Sequence, residues 1–279
     1  MRKYTIGLYE KAMPDVSWKE KLQAAKDAGY DFVEISIDAS EEKIARVYMS
    51  KEERLELVKT MYEVGLPIRT MNVSALTKYA LGDPDPKIEA RAIDIMEHAI
   101  ELAEDIGVRI VMIPGYDIYF GTSTPETQQQ FIKNLKHGTE VAAKHSVLLE
   151  METMENDFMN TTWKGMYYVN MINSVYLGLY PDVGNMKNAA VQYGNDEPQD
   201  LKSGAGHVAA LHLKETEPGK YRDMMYGEGH VDFEEMIKAA WEIGCRKYVT
   251  EFWYHGEEDW HKNLDYACSK MCAILDAQE

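Results

Sequence analysis

The chain reads as an α/β protein of the (β/α)8 type, the TIM-barrel architecture, on three observations. Short β-branched or aromatic runs alternate with long amphipathic stretches over all 279 residues, the signature of repeated strand–helix–strand units. Eight such units fit into this length, and one barrel typically takes about 250 residues or more. No glycine fingerprint follows the first strand, which counts against the runner-up, an open doubly wound sheet of the dinucleotide-binding kind. No linker, low-complexity tract or internal repeat divides the chain, so one domain over 1–279 is expected.

The elements follow in order. Tyr4 to Leu8 is the first expected strand, and the helical pattern from Trp18 to Ala28 ends at Gly29. Phe32 to Ser36 is the second strand, followed by a helix from Lys51 to Val64 that ends at Gly65. Pro67 to Val73 is the third, and a long helix from Pro86 to Ile106 stops at Gly107. These glycines sit where a left-handed residue closes a helix at least cost. The fourth strand, Val108 to Ile113, contains the run Arg109-Ile110-Val111-Met112-Ile113, as expected for a parallel strand buried on both faces. A helix from Pro125 to Lys144, a strand from Ser146 to Glu152, a helix from Thr161 to Ile172 and a strand from Val175 to Tyr180 come next. Helical pattern is weaker between Asn188 and Ser203. The seventh strand is Val208 to Leu213, and Asp232 reads as the N-cap of a helix to Trp241, with Gly244 beyond it. Lys247 to Glu251 is the eighth strand, and Asp259 to Ala277 the closing helix.

Composition narrows the function. With 47 acidic against 30 basic side chains the formal charge is −17, which opposes nucleic-acid binding, where Lys and Arg must meet phosphate, and docking on anionic lipid. No apolar run approaches the roughly 20 residues that span a bilayer. Met1-Arg2-Lys3-Tyr4-Thr5-Ile6-Gly7 runs into a strand without a signal-peptide core, and the three cysteines (Cys245, Cys268, Cys272) form no disulfide framework. A cytoplasmic protein is expected, with Cys268 and Cys272 as free thiols on one helix face.

Barrels place their chemistry at the C-terminal ends of the strands, and four consecutive strands end in polar residues. The segments are Leu148-Leu149-Glu150-Met151-Glu152, Tyr180-Pro181-Asp182-Val183-Gly184-Asn185, Ala210-Leu211-His212-Leu213-Lys214 and Tyr248-Val249-Thr250-Glu251. Singly, a glutamate at a strand end is usually solvated and a histidine in an apolar run is usually core. Together, Glu152, Asp182, His212 and Glu251 form a mixed oxygen and nitrogen site for one divalent cation, Zn²⁺, Mn²⁺, Mg²⁺ or Co²⁺. Without a cation the three carboxylates would raise one another's pKa values. Gly184-Asn185 is expected as a sharp turn presenting Asp182.

Several segments also resemble a known family. Ile6-Gly7-Leu8-Tyr9-Glu10-Lys11-Ala12, Asp31-Phe32-Val33-Glu34-Ile35-Ser36, Gly115-Tyr116-Asp117-Ile118-Tyr119, Met151-Glu152, Leu179-Tyr180-Pro181-Asp182-Val183-Gly184-Asn185, Gly206-His207, His212-Leu213-Lys214-Glu215-Thr216 and Gly227-Glu228-Gly229 carry the likeness. Over essentially its whole length the chain is similar to the L-ribulose-5-phosphate 3-epimerases, also called L-xylulose-5-phosphate 3-epimerases, within the xylose-isomerase-like barrels. It departs from them after strand three, where the family's Ser-Ala-His reads Ser74-Ala75-Leu76.

The resemblance implies a metal-dependent isomerase. A bound M²⁺ polarises the ketose oxygens at C2 and C3. One glutamate then removes the C3 proton to give a cis-enediolate, and the other returns a proton on the opposite face. Glu152 and Glu251 would be both ligands and acid/base groups; Asp182 and His212 would be ligands only. For the phosphate, Lys11, Lys78, Lys214, Lys220 and Arg222 are candidates near expected loops, and Lys11 and Lys214 rank first because they fall in matching segments. Ser74 would contact substrate from the altered loop. The backbone of Gly227-Glu228-Gly229 could hold an anion, or Glu228 could face sugar hydroxyls. Glu10 and Glu34 could do the same, or hydrogen-bond within the barrel mouth.

Competing readings are a 3-epimerase of unphosphorylated ketoses, an aldose–ketose isomerase such as one for hexulose phosphates, a metal-dependent DNA-repair endonuclease, and a non-enzymatic sugar-binding barrel. The acidic charge and the few histidines, some on expected helices (His98, His137), count against the endonuclease. The expected partner is a small sugar phosphate, and a homodimer could pair through Trp253-Tyr254-His255 or Trp260-His261.

Overall fold

A computed structural model describes residues 2–278. Among them, eight parallel strands form the barrel: β1 (Thr5–Tyr9), β2 (Phe32–Ser36), β3 (Ile68–Asn72), β4 (Ile110–Pro114), β5 (Leu148–Glu152), β6 (Leu177–Tyr180), β7 (Leu211–Lys214) and β8 (Lys247–Glu251). Each pairs with its neighbour in sequence from β1 to β6, and β8 pairs with both β7 and β1, Thr5 lying opposite Lys247 and Leu8 opposite Thr250. The seam between β6 and β7 is thin. It consists of two isolated bridges, Leu179 with Val208 and Asp182 with His212. Its hydrogen bonds include Leu179 N–H to His207 O at 2.8 Å and His212 N–H to Pro181 O at 2.9 Å. The barrel expectation is therefore borne out, and no described helix is long and apolar enough to cross a membrane.

The surrounding helices are α1 (Trp18–Asp27), α2 (Glu41–Ile44), α3 (Lys51–Val64), α4 (Pro86–Ile106), α5 (Pro125–His145), α6 (Thr162–Ile172), α7 (Val183–Tyr193), α8 (Glu197–Lys202), α9 (Phe233–Glu242) and α10 (Trp260–Asp276). Local chemistry explains their ends. Ser17 and Ser50 each accept the N–H of a glutamate three residues on, and Glu20 and Glu53 reach back to the cap N–H, two reciprocal capping boxes. Asp232 caps α9 as expected, accepting from Glu235 N–H at 2.9 Å. Gly65 and Gly107 close α3 and α4 with φ of 75° and 81°.

Strand patterning builds two cores. Outward-facing residues such as Leu8, Ile35, Met71, Val111, Leu149 and Tyr248 pack under the helices. Inside the barrel, Phe32, Ile110, Met112, Tyr180, Ala210 and Val249 form an apolar plug with Tyr9 above it. The plug closes the lumen from below, so polar side chains at the strand ends meet over an apolar floor.

Two expectations need correction. The weak helical stretch from Asn188 to Ser203 is two helices, α7 and α8, broken at Gly194 (φ 67°), with α8 capped by Asp196. And Gly184-Asn185 is not a turn but the first turn of α7, whose N-cap is Asp182. The glycine is there for proximity: a Cβ on Gly184 would lie 2.6 Å from Thr216 Cγ2 and 2.7 Å from Lys214 O. Cys245, Cys268 and Cys272 are free and buried, Cys268 Sγ lying 3.9 Å from Cys272 Sγ.

Candidate active site

Glu152 and Glu251 are the last residues of β5 and β8, His212 lies within β7, and Asp182 follows β6 as the α7 cap. Strand alternation points the two glutamates and the histidine inward, and the Asp182–His212 bridge brings the fourth side chain alongside. All four are buried, and one ligand atom from each lies within 4.8 Å of every other. His212 Nδ1 is 2.8 Å from Glu251 Oε2, 3.3 Å from Glu152 Oε1 and 4.0 Å from Asp182 Oδ2. On its other side, His212 Nε2 meets Glu34 Oε1 at 2.7 Å.

The neighbours hold this set in place. Asp182 N–H donates to Thr153 Oγ1, Asn185 N–H donates to Asp182 Oδ1 at 2.8 Å, and Asn185 Nδ2 donates to Thr153 O. Lys214 Nζ lies 2.9 Å from Asp182 Oδ2 and donates to Asn185 Oδ1 at 2.9 Å.

The electrostatics are those of too many carboxylates in one dry place. Burial, reinforced by the charges of Glu251 and Glu152 and opposed by Lys214, pushes Asp182 up to about 8. Burial raises Glu152 as well. Glu251 goes the other way: burial would raise it, but His212 and Lys214 beside it hold it well below the ordinary carboxyl range. Asp182 Oδ2 and Glu251 Oε2 are buried without a hydrogen bond, although each has a cationic or imidazole nitrogen within 3 Å. Orphaned carboxylate oxygens converging on an imidazole nitrogen are a donor set that a divalent cation satisfies, so these residues fit one.

Above the cluster opens a cavity of about 470 Å³. Glu152, Glu251, Lys214, Lys11, Ser74 and Arg222 all line it, so six of the residues singled out in the sequence for substrate or catalysis meet here. Their charges are differently engaged. Lys11 pairs with Asp38 at 3.0 Å and Lys214 with Asp182. Arg222 stacks its guanidinium over Trp253 and has no carboxylate within 4.0 Å among the described residues. Ser74 Oγ is buried without a partner.

Other candidates lie elsewhere. Glu228 sits outside the cavity in an exposed turn, its carboxylate accepting from Met225 N–H at 2.9 Å. The anion held by that loop is the chain's own Glu215, which accepts from Gly227 N–H at 2.8 Å and Val231 N–H at 3.1 Å. Lys78 is half exposed over the Tyr79 ring, and Lys220 is near Glu217. Glu10 is buried against Lys21, Arg46 and Ser36 N–H. Trp253 lines the cavity and packs edge-on against Tyr9, while Trp260 stacks on His261.

Sequence reasoning missed Asn72, Glu155 and Tyr116. Asn72 ends β3 and lines the cavity, with Oδ1 buried and unpartnered; the polar-strand-end rule that singled out the four candidate ligands would have found it too. Tyr116 donates to Glu155 at the rim, a pairing between two loops without a local signal.

Comparison with known proteins agrees with this geometry. The family described as xylose isomerase-like TIM barrel matches residues 22–270. An L-ribulose-5-phosphate 3-epimerase, UlaE, of Escherichia coli is 38% identical over 256 residues, covering 91% of this chain and 89% of the relative. The protein of that name from Escherichia fergusonii shows the same identity and coverage. Among solved structures, an L-ribulose 3-epimerase superposes with a TM-score of 0.79 at 19% identity, covering 99% of this chain and 95% of the other. A D-psicose 3-epimerase with D-tagatose, from Clostridium cellulolyticum, gives 0.79 at 15%, covering 97% and 99%.

Proposed function

The chain belongs to the xylose isomerase-like TIM barrels and, by its curated relatives, to the carbohydrate epimerases among them; on that premise we propose that it is a divalent-metal-dependent 3-epimerase of a ketopentose 5-phosphate, interconverting L-ribulose 5-phosphate and L-xylulose 5-phosphate. The observation that carries this reading is the convergence of Glu152, Asp182, His212 and Glu251 beneath one cavity. A cation held by these four, Zn²⁺, Mn²⁺ or Mg²⁺, supplies Lewis-acid polarisation of the ketose oxygens.

The chain's own residues do the rest. Glu152 and Glu251, carried on strands with β6 and β7 between them, take the C3 proton from one face and return one to the other. Positioned acid–base groups of this kind contribute about 10²- to 10⁴-fold. Asp182 and His212 hold the set together, and the Lys214 ammonium offsets the carboxylate charge beside Asp182. Ser74 Oγ and Asn72 Oδ1, both lacking partners, are placed to bond sugar hydroxyls. Arg222, the lining cation without a carboxylate partner among the described residues, receives the phosphate, with Lys11 as a second lining cation near the end of β8.

One observation favours a second reading, 3-epimerisation of unphosphorylated ketoses. Lys11 and Lys214 are already matched by Asp38 and Asp182, and Leu76 stands where the resembling family has histidine, which leaves little unmatched positive charge. NMR in D₂O on Mg²⁺- or Zn²⁺-loaded protein separates the two. Deuterium entering C3 of L-ribulose 5-phosphate, abolished by Glu251→Gln, is expected. Arg222→Ala should raise KM for the phosphate ester about ten-fold and leave free ketoses unaffected. Exchange with free ketoses alone would favour the second reading, and no exchange at C3 of either substrate would overturn both.

A further inference from the structure

We propose that Glu34, backed by Tyr180, is a positioning residue for the candidate metal centre: it fixes the His212 imidazole so that Nδ1 faces the three carboxylates as a lone-pair donor. This inference rests on reading that cluster as a divalent-cation site. Glu34 lies in the middle of β2 and is 0% exposed. It does not line the substrate cavity, so any influence on the site passes through its hydrogen-bond partners. It has two of consequence. Oε1 meets His212 Nε2 at 2.7 Å, and Oε2 accepts from Tyr180 O–H at 3.0 Å. Tyr180 also packs edge-on against the imidazole, ring centroids 4.8 Å apart. Three separate strands, β2, β6 and β7, thus contribute one member each to a chain that ends at His212 Nδ1.

The chemistry follows from the imidazole's two nitrogens. A neutral ring carries one proton, and a carboxylate at Nε2 keeps it there, leaving Nδ1 free to bind a cation. Without that acceptor, nothing on the Nε2 side opposes the other tautomer. Glu251 and Glu152, 2.8 and 3.3 Å from Nδ1, would then draw the proton to Nδ1 and occupy the ligand position with an N–H. The Tyr180 hydroxyl prevents the Glu34 carboxylate from rotating away, which accounts for a tyrosine in an otherwise apolar plug.

The test uses metal-free full-length protein titrated with Zn²⁺ against a chelating indicator. Wild type is compared with Glu34→Gln, Glu34→Leu and Tyr180→Phe, with His212→Ala as the lost-ligand reference. Affinity should fall about 10- to 100-fold for the Glu34 variants and by less for Tyr180→Phe, which keeps the ring packing. In the Zn²⁺-loaded wild type a His212 Nε2–H resonance should be present in ¹H–¹⁵N spectra, shifted in Tyr180→Phe. Should Glu34→Leu fail to fold, Glu34→Gln and Tyr180→Phe carry the test. Wild-type affinity and an unshifted resonance in the folded variants would overturn the positioning role and leave the metal reading standing. Wild type binding Zn²⁺ no better than His212→Ala would overturn both.

Discussion

At the scale of single residues, the barrel lumen is fitted rather than filled. A methyl group at Gly7 would overlap the edge of the Phe32 ring, which is wholly buried across the β1–β2 pair. Gly7→Ala should therefore cost about 1 to 3 kcal/mol, the usual range for overpacking. Urea denaturation would measure this, and Phe32→Leu in the same chain should recover part of it. Gly178 plays a similar part for Glu150, whose carboxyl oxygens would lie 2.6 and 2.9 Å from an added Cβ. Residue by residue, the four residues of the candidate metal cluster were legible because they are polar groups at the ends of apolar runs, a contrast visible in the chain itself. Partnerships were not legible. Lys214 and Glu215 are adjacent in sequence, yet one turns to Asp182 and the other to Gly227 N–H. Nothing local separates a lysine that will neutralise a buried aspartate from one that will meet a phosphate, or Glu215 inside its loop from Glu228 outside it.

At the scale of elements, the long helices and buried strands were legible from period and caps, with boundaries shifted by one to three residues, the most at β7, which begins at Leu211 rather than Val208. Short pieces were not: α2 and the 3₁₀ turns at Glu10–Ala12, Ala45–Tyr48 and Ser74–Thr77 are too brief to show a period. One of these turns is a junction. Glu10, just after β1, binds Lys21 of α1 at 2.7 Å, Arg46 at 2.6 Å and the Ser36 N–H at the end of β2. Burial alone would raise its carboxyl, but Arg46 and Lys21 prevail and hold it at about 2. A carboxyl depressed on folding stabilises fully above its unfolded value, near 4.5, and that contribution is lost as the pH falls from there through 2. Glu10→Gln removes the one buried carboxylate that Lys21 and Arg46 share, leaving Lys21 only the exposed Asp15 at 3.5 Å, and should cost about 3 kcal/mol at pH 7. Denaturation midpoints of mutant and wild type should draw together at pH 3; a gap independent of pH would remove the electrostatic account.

At the scale of the molecule, a formal charge of −17 surrounds a site read as taking an anionic sugar. The field of the whole chain should slow the approach of a phosphate ester, and salt should relieve it. Turnover at low substrate should rise about two-fold between low and physiological ionic strength for L-ribulose 5-phosphate and stay level for a neutral ketose. Equal salt responses would mean that Lys11 and Arg222 at the mouth outweigh the rest of the surface. The barrel's closure has a consequence of another kind. Seven of its eight joints are strand ladders, that of β2 with β3 carrying a register shift at Val33–Glu34, while β6 and β7 meet through two bridges, one of them between Asp182 and His212. A cation gripping those two side chains would rivet the weakest joint in the hoop. In metal-free protein the amides of Leu179 and His212 should trade hydrogen for deuterium well before those of β1 and β8, and adding the ion should slow them until the ring of staves opens only as a whole.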